Sequence, residues 1–277
     1  MSRAAERPAP PDWPAAVAAL AGGRLLVVGD VMLDEYVAGD ARRVCPEAPV
    51  PVVEAGRHWA VPGGAANAAA NAAALGGRVL LSGATGGDPA AGALARAVEA
   101  TGVDPAGLVA DPDRPTTTKL RVLARGQQVI RVDTETRARL GSEPAARLAA
   151  WVERTVPAVD AVLVSDYGKG VFEGDFAARV IGAARRAGRP VVVDPKGADP
   201  HRYRGATVVK PNVSELADLT GRTLRTPADL VSAAHGLAEA LDGTWVLVTR
   251  GAEGMALFRA GRPARRAPPA RPAGCST

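Results

Sequence analysis

Polar residues directly follow several short apolar segments of this 277-residue chain. The polar residues are Asp30, Asp166, Asp194, Asn212 and Thr249. In an open parallel sheet the carboxyl ends of the strands lie along one edge, and ligands bind outside that edge. We therefore expect these side chains to line one polar crevice, which predicts a site for a small molecule.

Two carboxylates, Asp30 and Asp34, stand close together at the end of the first apolar segment, R-L-L-V-V-G. An ionised carboxylate accepts several hydrogen bonds, so a pair of them suits the hydroxyl groups of a polyol. A second interpretation stays open, in which Asp30 caps a helix and Asp34 is only solvated.

The stretch P-G-G-A-A-N-A-A-A-N, which begins at Pro62, predicts a tight turn that enters a helix of small residues. Gly63 and Gly64 would let a ligand approach the main chain closely. Asn67 would lie in the first helical turn, where its amide can donate and accept hydrogen bonds. The same pattern is also typical of an ordinary junction between a loop and a helix.

A further candidate pair is Asn212 and Glu215, whose spacing places both on one face of a helix. Their oxygens suit a hydrated divalent cation. Gly251 and Gly254 would permit close approach of a flat or phosphorylated ligand. The sequence contains neither the P-loop pattern nor a Rossmann glycine pattern after a strand.

The elements that must position these residues alternate between strand and helix patterns. Apolar runs predict strands at 24–29, 78–83, 158–165, 190–193, 207–210 and 244–248, with helical segments between them. This alternation predicts an α/β fold with a mostly parallel central sheet and helices on both faces. Residues 36–60 are predicted to be irregular, with short β pieces and an edge strand, because Pro46, Pro49 and Pro51 disfavour a helix and a central strand.

Two alternating runs on either side of Gly126 predict a β-hairpin with a polar face. The cations Lys119, Arg121, Arg125 and Arg131 lie in these runs. Either they belong to a binding site or they form a solvated face of the hairpin.

The net charge of +5 comes from the end of the chain. Residues 259–277 contain five arginines and no acid, and the 258 residues before them balance at 29 cations and 29 acids. A nucleic-acid-binding body would spread its basic surface over the fold, so we expect no nucleic-acid partner. We also expect a cytoplasmic protein with no membrane partner, because no apolar run is long enough for a membrane span or a signal peptide. Cys45 and Cys275 alone make neither a disulfide framework nor a metal site.

Several segments together resemble the ribokinase-like (PfkB) carbohydrate kinases. They are V-V-G-D-V-M-L-D, P-E-A-P-V-P-V-V, P-G-G-A-A-N-A-A, T-K-L-R-V-L, S-D-Y-G-K-G, D-P-K-G, P-N-V-S-E and L-V-T-R-G-A-E-G-M, in this order between Arg24 and Phe258. The resemblance is greatest to kinases of D-glycero-β-D-manno-heptose 7-phosphate, which form one half of a bifunctional protein of ADP-heptose synthesis. It implies a ribokinase-like fold with a small β lid from about 36–60 and 116–133, through which relatives pair as homodimers.

The resemblance also implies roles for individual residues, with ATP and Mg²⁺ as cofactors and a sugar phosphate as substrate. The substrate-binding set for the sugar is Asp30, Asp34, Gly63, Gly64 and Asn67. We infer in addition that Lys119, Arg121 or Lys196 neutralises its 7-phosphate. The nucleotide set is Asn212, Val213, Ser214, Glu215, Thr249, Arg250, Gly251 and Gly254, with Glu215 at the metal. The implied reaction transfers the γ-phosphoryl group of ATP to the anomeric hydroxyl, mainly by positioning and charge stabilisation.

One departure from the family pattern is the G-A-G-D motif, which does not occur in these 277 residues. In the family its aspartate is the general base and its glycine amides hold the transferring phosphoryl group. We therefore expect no catalytic residue of this type here and a fold whose C-terminal part is missing. Residues 1–23 are expected to be an N-terminal extension, 24–258 the kinase domain, and 259–277 a disordered Arg/Pro-rich tail outside the family, which is either out-of-frame or a remnant. The alternatives are a degenerate, non-catalytic sugar or nucleotide binder and a kinase of another sugar, of the ribose or adenosine type.

Overall fold

The structure is a computed structural model that describes residues 12–267. Its strands are β1 Arg24–Gly29, β2 Val31–Val44, β3 Pro51–Gly64, β4 Arg78–Thr85, β5 Asp104–Ala110, β6 Thr118–Ala124, β7 Gln127–Thr134, β8 Ala161–Ser165, β9 Val191–Asp194, β10 Val208–Val209, β11 Trp245–Thr249, β12 Met255–Arg259 and β13 Arg262–Ala267. Its helices are α1 Trp13–Ala18, α2 Ala65–Ala74, α3 Pro89–Glu99, α4 Ser142–Thr155, α5 Phe176–Arg186, α6 Val213–Thr220 and α7 Pro227–Ala240.

The central sheet has nine strands in the order β13-β12-β11-β10-β9-β8-β1-β4-β5. All neighbours from β11 to β5 are parallel, and β12 and β13 add an antiparallel edge. The apolar run of β1 is covered on both sides, since Leu26, Val27 and Val28 are fully buried. Continuous burial of this kind is what a parallel strand with helices on both faces requires.

Helices cover the sheet on its two faces, as predicted. One buried cluster contains side chains of α4, α5 and α7, for example Leu148, Val180 and Leu237. A second, separate cluster contains side chains of α2 and α3, for example Ala69 and Leu94. The alanines of α2 leave little distance between helix and sheet, so the start of this helix lies close to the carboxyl end of β1.

A second sheet of four strands, β3-β2-β6-β7, forms the lid. The hairpin of β6 and β7 confirms the prediction made around Gly126. The prediction for residues 36–60 was wrong in part, because they belong to a long antiparallel pair that runs from Val31 opposite Gly64 to Val44 opposite Pro51. The prolines do not interrupt it: they lie in the connecting turn and at the first position of β3, which is an edge strand as expected.

The end of the described chain also differs from the prediction. Residues 262–267 are not irregular but form β13, which pairs antiparallel with β12. An edge strand needs only one neighbour for its backbone hydrogen bonds, so a segment rich in arginine can extend the sheet there. The rest of the predicted tail lies outside the described residues. Within residues 12–267, no helix has the length and apolar character needed to cross a membrane.

Candidate functional site

Asp30 lies at the carboxyl end of β1 but is almost completely buried, with 2% of its surface exposed. Its Oδ2 accepts hydrogen bonds from the backbone N–H of Tyr167 at 2.7 Å and of Lys169 at 3.2 Å. Burial raises the pKa of this carboxyl, and the two N–H donors oppose the rise. One carboxylate oxygen of Asp30 thus holds the loop after β8, while Oδ1 has no hydrogen-bond partner among the described residues, so the contact of Asp30 with sugar hydroxyls stays a prediction. The helix-cap alternative is wrong, because β2 begins at the next residue.

Asp34 lies further along β2, where the lid begins, and remains partly open to solvent. Its Oδ1 accepts a hydrogen bond from Arg121 Nη1 at 2.8 Å. A Cβ atom at Gly63 would come within 2.7 Å of Asp34 Oδ2. Gly63 therefore keeps room for this carboxylate, which is available to a ligand hydroxyl on its remaining side.

Gly64 joins β3 to α2 in a conformation that other residues rarely adopt, with φ of 57°. A Cβ atom here would lie 2.5 Å from the carbonyl oxygen of Asp30, which accepts the hydrogen bond of Ala65 N–H. The predicted glycine turn is thus present. Asn67 lies in the first turn of α2, as expected, and is exposed.

Charged side chains meet where the lid joins the body. Lys119 Nζ lies 2.9 Å from Asp133 Oδ2 and 3.1 Å from Glu135 Oε2. The other oxygen of Glu135 accepts a hydrogen bond from Lys169 Nζ at 2.7 Å. Sequence reasoning missed Glu135 and Lys169 as site residues, although Lys169 belongs to the S-D-Y-G-K-G segment that it had singled out.

The third predicted phosphate-binding cation, Lys196, lies elsewhere. Its Nζ is 3.4 Å from Glu215 Oε1, and its side chain borders an open cleft of about 860 Å³ at the carboxyl ends of β8 and β9. The structure therefore separates Lys196 from Lys119 and Arg121: the first stands beside the predicted nucleotide residues and the others beside Asp34.

Asn212 and Glu215 form a capping box at the start of α6. Asn212 Oδ1 accepts from Glu215 N–H at 2.8 Å, and Glu215 Oε2 accepts from Asn212 N–H at 2.9 Å. One carboxylate oxygen is thus committed to the helix end, and Oε1 faces Lys196. Val213 and Ser214 are exposed in the same turn.

The second half of the predicted nucleotide set lies next to this helix end. Asn212, which follows β10, forms an isolated parallel bridge with Thr249 at the end of β11, and Thr249 N–H donates to the carbonyl of Pro211 at 3.0 Å. The chain then turns tightly, with Arg250 N–H donating to Gly254 O at 2.8 Å and a positive φ at Gly251 and Gly254. Arg250 forms an ion pair with Glu253. The structure therefore brings the two predicted nucleotide segments together.

Asp166 is buried at the carboxyl end of β8, next to cleft residues Tyr167 and Gly168. Its Oδ2 accepts a hydrogen bond from the Tyr203 hydroxyl at 2.7 Å, and its Oδ1 accepts from Gly168 N–H at 2.7 Å. Burial raises the pKa of the Asp166 carboxyl to about 6, and the tyrosine hydrogen bond limits this rise. Both oxygens have protein donors, so the group shapes the loop between β8 and α5.

Tyr167 stands between the two halves of the site. Its phenol is 41% exposed and borders the cleft, while its backbone is held by Asp30. Partial burial raises the pKa of the phenol, and the negative charge of Asp194 raises it further, with smaller contributions from Glu215 and Asp34. These carboxylates belong to the nucleotide side and the sugar side respectively. Sequence reasoning did not select Tyr167.

A metal would find few ligands here. Among residues 12–267, no group of three or more His, Cys, Asp or Glu side chains could hold an ion. Mg²⁺ commonly keeps several waters and needs only one or two carboxylates together with substrate phosphates. Glu215, with one oxygen not used by the helix cap, fits this kind of binding.

Solved structures with this architecture include sugar kinases. Ribokinase from Arabidopsis thaliana, complexed with ribose and ATP, has a TM-score of 0.63 and 23% identity, covering 90% of this chain and 78% of that chain. Phosphofructokinase-2 from Escherichia coli, in complex with fructose-6-phosphate, has a TM-score of 0.69 and 22% identity, covering 93% and 82%. The fold is ribokinase-like, as predicted.

Residues 23–273 match the family described as pfkB family carbohydrate kinase, and the chain belongs to this family. The predicted family is confirmed, and the match continues past Phe258, where the resemblance was expected to end. The bifunctional protein HldE of Shewanella amazonensis is 49% identical over 242 residues, and that of Geobacter sulfurreducens is 44% identical over 236 residues. These alignments cover 87% and 85% of this chain, which spans about half the length of these relatives, 49% and 48%.

Proposed function

We propose that this chain is an ATP-dependent kinase that phosphorylates D-glycero-β-D-manno-heptose 7-phosphate at O1, giving the 1,7-bisphosphate used in ADP-heptose synthesis. The observation that carries the proposal is that two sets of residues lie on either side of Tyr167, whose phenol feels the charges of both Glu215 and Asp34. Asp34 and Asn67 are on the sugar side, and Asn212, Glu215 and Thr249 are on the nucleotide side. The resemblance of the P-E-A-P-V-P and T-K-L-R-V-L segments to heptose kinases, and the identity with HldE proteins, support heptose as the sugar.

In this proposal the chain acts mainly by positioning its two substrates. Asp34 accepts a hydrogen bond from a sugar hydroxyl while the hydrogen bond from Arg121 keeps the carboxylate oriented. Glu215 would help to hold Mg²⁺, and Lys196 beside it would bind the phosphates of ATP. The metal supplies neutralisation of the phosphate charge that develops during transfer.

A second candidate function is a binding protein without turnover. The assay for both candidates measures ADP release with ATP, Mg²⁺ and heptose 7-phosphate, together with calorimetric binding of each ligand. ADP release that depends on the sugar supports the kinase. Binding of both ligands with no ADP release supports the second candidate, and absence of binding contradicts both.

We also propose that two copies pair through the outer face of the lid. Residues at alternating positions of a strand share a face, so Leu120, Val122, Ile130 and Val132 lie together, opposite the face that carries Lys119 and Arg121. Ile130 and Val132 are 53% and 48% exposed. Burying this apolar face against a second copy would remove it from water.

A further inference from the structure

The carboxylate of Glu135 joins two ammonium groups that come from different parts of the fold. Oε1 accepts from Lys169 Nζ at 2.7 Å, and Oε2 accepts from Lys119 Nζ at 3.1 Å. Lys169 follows β8 in the body, and Lys119 lies on β6 in the lid. The lysine side chains are only 12% and 15% exposed. Two largely buried ammonium groups therefore face one anion.

The charges around this point favour a bound anion. The surrounding cations are Lys119, Lys169, Arg121 and Arg131, and the acids in contact with them are Asp34, Asp133 and Glu135. The hydrogen bond from Lys169, with that from Lys119, lowers the pKa of Glu135, so this carboxyl stays ionised near neutral pH. One positive charge remains in excess even with Glu135 in place.

The position of the two lysines relates them to the sugar side of the site. Asp34 on β2 pairs with Lys119 on β6, which pairs with Asp133 on β7, so these residues form one row across the lid. Neighbouring strands lie about 4.8 Å apart. An anion at Lys119 would therefore lie only one strand away from a hydroxyl bound to Asp34. A ligand that reaches both needs hydroxyls and a phosphate on one short carbon chain.

We propose that Lys119 and Lys169 form the subsite for the phosphate that the sugar substrate carries, and that Glu135 occupies this subsite until the phosphate displaces it. The inference rests on the proposed function and assigns the residues that bind the phosphate of its substrate. Lysine ammonium groups bind phosphate through strong, charge-assisted hydrogen bonds. Lys196 takes no part, since it faces Glu215 on the nucleotide side.

A purely structural role for Glu135 makes a different prediction. If the carboxylate only ties the lid to the body, its removal loosens the lid and weakens the binding of both sugars to the same extent. If it competes with the substrate phosphate, its removal strengthens binding of the phosphorylated sugar and leaves the free sugar unchanged. The ratio of the two affinities separates these roles.

The experiment measures binding by calorimetry without nucleotide, using heptose 7-phosphate and the same heptose without phosphate. We expect wild type to prefer the phosphorylated sugar, Lys169→Met to reduce this preference about 10- to 100-fold, and Glu135→Gln to increase it about 3- to 10-fold. The control Arg179→Met removes a cation from an exposed pair with Glu153 on the body and should leave both affinities unchanged.

Three outcomes overturn the subsite: equal affinity of wild type for both sugars, no binding of either, or a preference that Glu135→Gln leaves unchanged or lowers. Glu135→Gln keeps the test valid if Lys169→Met fails to fold. Absence of binding would overturn the proposed function as well. The other two outcomes overturn the subsite alone, because they require no turnover, and failure of the kinase activity alone would show as binding without ADP release.

Discussion

Gly63 and Asp34 occupy neighbouring positions of the lid such that a methyl group on the first would collide with the carboxylate of the second. The Cβ position of Gly63 lies 2.7 Å from Asp34 Oδ2 and 2.8 Å from its Cγ. The Asp34 carboxylate cannot easily move aside, because Arg121 also holds it. The space for the Asp34 side chain therefore depends on a glycine on the adjacent strand.

Gly63→Ala should therefore weaken sugar binding at least about 10-fold, or about 1.4 kcal/mol, without a comparable effect on ATP binding. The control is Gly56→Ala on the same strand, where the nearest atom is 3.7 Å from the new Cβ. Calorimetry of the two ligands with the two variants checks this. Equal losses of sugar affinity in both variants would contradict the assigned role of Asp34.

Glu215→Gln should separate the helix cap from the proposed metal role. Glutamine can still accept the hydrogen bond of Asn212 N–H, so the free energy of unfolding should change by less than about 0.5 kcal/mol. Loss of the negative charge should lower Mg²⁺-dependent kcat/KM by about 10-fold or more. The matched control is Asp229→Asn, which makes the same change in the capping box of α7. Equal kinetic effects of the two variants would remove Glu215 from the site.

Asp166→Asn should alter the pH dependence of stability. The folded-state pKa of Asp166 is raised to about 6, so the protein gains stability from the protonated form at low pH and loses it as pH rises from about 4 through 6. Relative to Asp166→Asn, the wild-type protein should lose about 3 kcal/mol of unfolding free energy by pH 7.

Asparagine suits this position because its amide can donate to the Tyr203 oxygen while the tyrosine hydroxyl turns to the carbonyl of Lys196, now 3.0 Å away. Urea unfolding of both proteins between pH 4 and 8 measures the difference. A constant difference over this range would show that Asp166 titrates normally.

Ile130→Lys should convert the proposed dimer into a monomer, because it places a charge on the apolar outer face of the lid in both copies. Leu75→Lys is the control, since Leu75 is as exposed as Ile130, 54% against 53%, but lies on the body. Sedimentation velocity at equal concentrations gives the oligomeric state. A dimer that survives Ile130→Lys would place the interface elsewhere.

The body of the fold could be predicted from sequence because its strands are continuous apolar runs such as R-L-L-V-V-G, which are buried whatever the rest of the chain does. The long pair β2 and β3 could not, since most of its residues are half-buried or exposed and no regular apolar alternation marks them. In the sequence its prolines suggest an interruption of the strands, although they lie at the connecting turn.

The sequence predicts a type of site, but it does not predict the contacts of the individual residues. Asp30 and Asp34 look equivalent in sequence. The backbone N–H groups that donate to Asp30, however, belong to residues 137 and 139 positions further along the chain. In the same way, the contact of Glu135 with Lys169 depends on how the lid meets the body. Long-range packing decides which polar residues remain open to a ligand, and a single sequence does not encode that locally.

The connections between the lid and the body are short and held by a hydrogen bond. β2 starts one residue after Asp30, β3 ends at Gly64, and the hydrogen bond from Ala65 N–H to Asp30 O fastens the two ends to each other. A tilt of the lid would therefore also move the first turn of α2, where Asn67 lies. Under the proposed function, closing of the lid over a substrate and orientation of the Asn67 amide would be one movement, so the stiffness of β2 and β3 would affect the affinity for the sugar.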